Sequence, residues 1–152
     1  MVRKMEQILW EDGELFTAAS GISMLPCIRP QRDILHLVRP ERAVEKYEVI
    51  LYQRNNGAYI LHRVMGKDQR GYILCGDHQW VFEHGIREDQ VLGVLKGFYR
   101  GETYIDCTEN RLYRSYVRIW CVSLQARKWV IRLGNLGRRG LAKLRWEKSK
   151  KR

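Results

Sequence analysis

The feature that most restricts this chain is a run of short apolar segments, closely spaced, with no crossover helices between them. "DILHLV" (33–38), "YEVILYQ" (47–53), "AYILHRVM" (58–65), "GYILCG" (71–76) and "QVLGVLKGFYR" (90–100) are β-branched or aromatic and bounded by turn residues. A shorter segment, "TYIDC" (103–107), extends the series. "RNNG" (54–57) joins two of them with an Asn-Gly pair, which suits a hairpin turn needing positive φ. The expectation is a mainly β domain of antiparallel strands, barrel-like or built of several coiled sheets.

The two ends of the chain read differently. Residues 2–10 predict a short helix with Met5, Ile8 and Leu9 on one side, ending near Gly13. At about residue 110 the composition changes, and here charge matters. The net charge is +11, yet residues 1–110 carry 14 Lys+Arg against 16 Asp+Glu. Residues 111–152 carry 14 against one acid, Glu147. The expected organisation is therefore a domain over 1–110 and a basic tail over 111–152.

Within that tail, "RLYRSYVRIWCVSLQARKWVIRL" (111–133) predicts an amphipathic helix with a basic stripe beside a broad aromatic and aliphatic face. Three uses compete for it. Tyr113, Tyr116, Trp120 and Trp129 could sit among lipid headgroups with the arginines on phosphates. The segment could bind nucleic acid, or it could dock on the domain and leave a solvated basic end. The breadth of the apolar face favours an anionic membrane surface. Spanning is not expected, because no apolar run approaches the roughly 20 residues a transmembrane helix needs. Glu11, Asp12 and Glu14 interrupt the opening segment before a signal-peptide core could form.

Cys27, Cys75, Cys107 and Cys121 are scattered without a C-x-x-C pair and read as reduced, buried thiols. Cys75, His78 and His84 lack the second cysteine pair of a zinc site, so neither metal nor cofactor is expected.

Chemistry is suggested by three short motifs. "GISMLP" (21–26) sets Ser23 among apolar residues; alone it reads as a turn. A serine hydroxyl becomes a nucleophile only beside a base and oxyanion donors. "ILHRVMG" (60–66) places His62 on a strand face with Ile60 and Val64, where it could be a core histidine or that base. "CGDHQW" (75–80) sets Asp77 just beyond a strand, as a turn residue or as the carboxylate that orients the imidazole. His78 and Glu83 are alternatives for that third role.

Ser23-Met24-x-Pro26, His62-Arg63-Val64 and Gly76-Asp77, in this order, resemble the signal-peptidase superfamily of serine endopeptidases, which includes the repressor autopeptidases. The resemblance spans about residues 15–100 and is nearest to the branch that uses His rather than Lys as base. It implies a fold of coiled β sheets, Ser23 as nucleophile, His62 as general base and Asp77 as acidic partner. It further implies an oxyanion donor in the Ser23 N–H and a site shaped by Met24 and Pro26. The implied reaction is cleavage of an extended signal- or leader-type peptide, after a small residue, through an acyl-enzyme. The chain departs from the family pattern at Arg32-Asp33, at Tyr47-Glu48-Val49 and at Gly21, where many members place a hydroxyl.

A polypeptide substrate and peripheral attachment to the cytoplasmic face of a membrane are the expected partners and location. The rival reading is a non-catalytic regulator or binding module of the same fold, its basic tail contacting nucleic acid or a partner.

Overall fold

The computed structural model describes residues 3–124 and 127–134. The chain divides into two compact units, Met1–Val122 and Ser123–Arg152. In the first, α1 (Met5–Glu11) is followed by strands β1 (Glu14–Ala18), β2 (Asp33–Val38), β3 (Val49–Gln53), β4 (Tyr59–Asp68) and β5 (Gly71–Cys75). Then come β6 (Glu83–Ile86), a 3-10 turn (Glu88–Gln90), β7 (Val91–Arg100), β8 (Thr103–Asp106) and α2 (Arg111–Val122).

All strands pair antiparallel in one eight-stranded sheet of order β1-β2-β7-β3-β4-β5-β6, with β8 also on β7. Ten-residue β7 organises it, holding β2 along one edge and β3, then β8, along the other. The mainly β antiparallel expectation is met, but the closed-barrel alternative is not: β1 and β6 remain the two ends of an open sheet. Bulges at His36/Leu37, Leu51/Tyr52, Val64/Gly66 and Tyr72/Leu74 interrupt the register. Such bulges increase local twist and bend the strands.

Each face of the sheet carries its own core. Leu9 of α1 packs with Leu35, Leu37, Val49, Leu51, Leu95 and Phe98 on one side. Ile50, Tyr52, Val64, Tyr72, Leu74 and Ile86 form the other. The period-2 alternation of β3 divides its residues between the two, so a one-residue slip would exchange both cores. The "RNNG" turn closes the β3–β4 hairpin as expected, with Arg54 N–H donating to Ala58 O and Gly57 at φ 84°.

The expected boundary at residue 110 falls short of the compact unit, which includes all of α2. That helix ends at Val122, and the second unit is helical again over 127–134. The basic end expected beyond residue 134 lies outside the described residues.

Candidate functional site

Ser23 lies in an irregular turn between β1 and β2, entered through Gly21 at φ 76°, a conformation that an L side chain rarely adopts. The turn is pinned by packing and by hydrogen bonds, among them Gln31 N–H to Ala19 O and Arg100 Nη2 to Cys27 O. Met24, Cys27 and Ile28 plunge into the first core, while Ser23 O accepts the His78 N–H at 2.7 Å. Gly76 approaches the same carbonyl so closely that a Cβ there would lie 2.6 Å from Ser23 O. The "GISM" and "CGDH" motifs are thus clamped together through their backbones, which neither motif reveals alone.

His62 is buried on β4, directly opposite Ile50 of β3, on the face of the second core. It shares a cleft of about 320 Å³ with Ser23, lined also by Ala19, Met24, Tyr59 and Gln79. A second cleft of about 430 Å³, between Arg54, Trp80, Val81, Phe82 and Glu83, meets the first at His62, Arg54 and Gln79. A larger cavity of about 670 Å³ near Arg39 and Glu48 has no serine, histidine or cysteine among the described residues of its lining. Ser23 is half-buried, and its hydroxyl makes no hydrogen bond among the described residues. No hydrogen bond yet joins it to His62; such contacts often form only when substrate closes the site.

Burial lowers the His62 pKa below its ordinary 6.5, with Glu83 and then Asp77 pulling the other way and Arg54 reinforcing the fall. The ring is therefore neutral at neutral pH, as a proton acceptor must be. Its Nδ1 faces Tyr52 Oη at 3.3 Å, and that hydroxyl donates to Glu83 at 2.6 Å.

Asp77 is placed differently from the direct imidazole partner that the resemblance implied. It is fully buried, and Arg63 binds it with Nε at 2.8 Å and Nη2 at 2.6 Å. Tyr116 of α2 donates to the same carboxylate at 3.0 Å, and Trp120 donates to the Asp77 backbone carbonyl at 2.8 Å. Arg63 also donates to Tyr47 O and Tyr113 Oη and contacts Cys27 Sγ. Asp77 reaches His62 only as a nearby charge; its hydrogen bonds hold the Ser23-supporting loop against Arg63 and α2.

Three of the four aromatics expected among headgroups, Tyr113, Tyr116 and Trp120, are thus taken up by the domain. What α2 turns outward is Leu112, Ile119 and Val122, alongside exposed Arg111, Arg114 and Arg118.

The four cysteines are free thiols, three of them buried and Cys107 half-buried. Burial pushes Cys27 and Cys107 up to about 12, which leaves them inert as nucleophiles. Among the described residues no group of three or more His, Cys, Asp and Glu side chains could hold a metal ion; Cys75 Sγ turns to Gly76 O and His84 to Asp68.

Sequence reasoning missed Tyr52 and Arg54. The alternation of "YEVILYQ" could have put Tyr52 on the His62 face, but the two strands' register was needed to bring them together. Comparisons with protein-family models, characterised proteins and solved structures return no match to this chain.

Proposed function

We propose that this chain is a serine endopeptidase of the signal-peptidase type, cleaving a signal- or leader-type peptide with Ser23 as nucleophile and His62 as general base. The observation that carries this reading is the shared cleft of Ser23 and His62, one hydroxyl unengaged among the described residues and one imidazole kept neutral by burial. The motif resemblance supports it. So does the Ser23 N–H, which donates to no acceptor among the described residues and is left for an oxyanion.

His62 takes the Ser23 proton as Oγ attacks the scissile carbonyl, and the Ser23 N–H stabilises the developing oxyanion. Imidazolium then gives its proton to the leaving amine, and water, activated by His62, releases the acyl group. The acyl side of the peptide occupies the cleft beside Ala19 and Met24. The amine leaves past His62 toward Trp80 and Phe82, because the base must stand between nucleophile and leaving nitrogen. Asp77 acts through Arg63 and the 76–78 loop, fixing the Ser23 backbone, and through its charge.

A peripheral site on an anionic membrane belongs to the same proposal. The outward Leu112, Ile119 and Val122, with arginines beside them, match the apolar and basic halves of an interfacial helix. Four free thiols suit the reducing, cytoplasmic side of that membrane.

The test is cleavage of a library of extended peptides by purified protein. Wild type is expected to cut, and Ser23→Ala and His62→Ala to be inert while folded. Equal cleavage by all three, or none by any, overturns the reading.

A further inference from the structure

The fold commits one of the two ring nitrogens of His62. Nδ1 lies 3.3 Å from Tyr52 Oη, which lies 2.6 Å from Glu83 Oε2. Arg54 grips Glu83 through Nε at 2.8 Å and Nη2 at 2.5 Å. These bonds hold the Glu83 carboxyl below the usual range, so it is a carboxylate at neutral pH. A carboxylate only accepts. The single Tyr52 hydroxyl proton therefore goes to Glu83, and the Tyr52 oxygen meets His62 as an acceptor. Nδ1 must carry the proton of the neutral ring, and Nε2 keeps the lone pair.

We infer that Tyr52 and Glu83 are positioning residues, a Glu83–Tyr52–His62 relay that fixes the Nδ1–H tautomer and leaves Nε2 for Ser23. The relay replaces a carboxylate bonded directly to the imidazole, the place from which Asp77 is withdrawn by Arg63 and Tyr116. Its purpose rests on the endopeptidase reading; its geometry does not. The charged groups around the ring agree with it. Glu83 of β6 outweighs both Arg54 of the β3–β4 turn and Asp77 beyond β5 in its effect on His62. In the attack step the Oγ–H bond breaks, an Nε2–H bond forms and Oγ bonds to the carbonyl carbon. No proton travels down the relay: burial and Glu83 push the Tyr52 pKa up, so the phenol keeps its hydrogen. The imidazolium Nδ1–H simply binds the Tyr52 oxygen more strongly, with the Glu83 charge one hydroxyl away.

Nitrogen NMR of the full chain, labelled at histidine, reads the tautomer with or without catalysis. His62 is expected as the Nδ1–H form in wild type and in Ser23→Ala, and to shift toward the Nε2–H form in Tyr52→Phe, which retains the buried ring. In peptide cleavage, Tyr52→Phe and Glu83→Gln are expected to lose about tenfold to a hundredfold in kcat with KM within twofold. That is a share of the roughly 10²–10⁴ a general base supplies. Glu83→Gln also moves the acid limb of the pH–rate profile to lower pH, because the charge removed favours imidazolium. A wild-type Nε2–H tautomer, or a Tyr52→Phe variant unchanged in tautomer and kcat, overturns the relay. The expected tautomers in a wild-type protein that cuts no peptide overturn the endopeptidase reading alone.

Discussion

Removing the Asp77 charge with Asp77→Asn would strand Arg63 inside the protein. Both side chains are 0% exposed, and the guanidinium has no water to turn to. In the wild type, two bonds from Arg63 and one from Tyr116 satisfy the carboxylate. The amide keeps one acceptor oxygen but presents an NH₂ group to a cation that can only donate. Breaking one side of a buried ion pair costs about 3–5 kcal/mol, a factor of roughly 10²–10³ in the folding equilibrium at the low end of that range. Over the 122 residues of the compact unit, the usual entropy of unfolding converts this to a fall of about 12–20 °C in melting temperature. Urea unfolding followed by the summed fluorescence of the five tryptophans measures it. The paired variant Arg63→Met/Asp77→Leu removes both charges and is expected to cost less than the two single changes together. A loss below about 1 kcal/mol for Asp77→Asn, the range of exposed pairs, would show that this pair is no buried structural clamp.

Three further outcomes follow from the geometry. Gly76→Ala forces a methyl to within 2.6 Å of Ser23 O and 2.9 Å of Gln79 Oε1; overpacking of this kind costs about 1–3 kcal/mol, and kcat is expected to fall more than stability alone explains, as measured by cleavage rates below the melting range. The acid limb of kcat/KM is expected below pH 6.5, because burial lowers the His62 pKa and the neutral base therefore persists to lower pH than in a free histidine; a limb above 6.5 contradicts the environment described. Leu112→Glu and Ile119→Glu, at positions 83% and 75% exposed, are expected to leave urea stability within about 0.5 kcal/mol while abolishing flotation with anionic vesicles; unchanged flotation would remove the membrane proposal.

Strand identity was legible because burial on two faces leaves a strong trace. β2 matches its expected segment end to end, and β3, β4, β5, β7 and β8 lie within or close to theirs. β1 and β6 were not legible. β6 is Glu-His-Gly-Ile at the sheet edge, where half the residues have little strand preference and one side needs no partner. The face of His62 followed from alternation alone. The fate of Asp77 did not, since a carboxylate beyond a strand looks the same whether it turns to a histidine or to an arginine. That choice is made by Arg63, one residue from His62 and therefore on the opposite face, and by two aromatics of α2 distant in sequence. The amphipathic pattern of α2 is legible over Arg111–Val122, but the hydrogen bonds that Tyr113, Tyr116 and Trp120 make to Arg63 and Asp77 are not.

Ser23, proposed as a nucleophile activated by His62, is open to a covalent label. After exposure to a fluorophosphonate, peptide mapping is expected to find the adduct on Ser23 in wild type and none on Ser23 in folded His62→Ala. An adduct at Ser23 formed equally fast without His62, or labelling confined to other residues, would contradict the proposal.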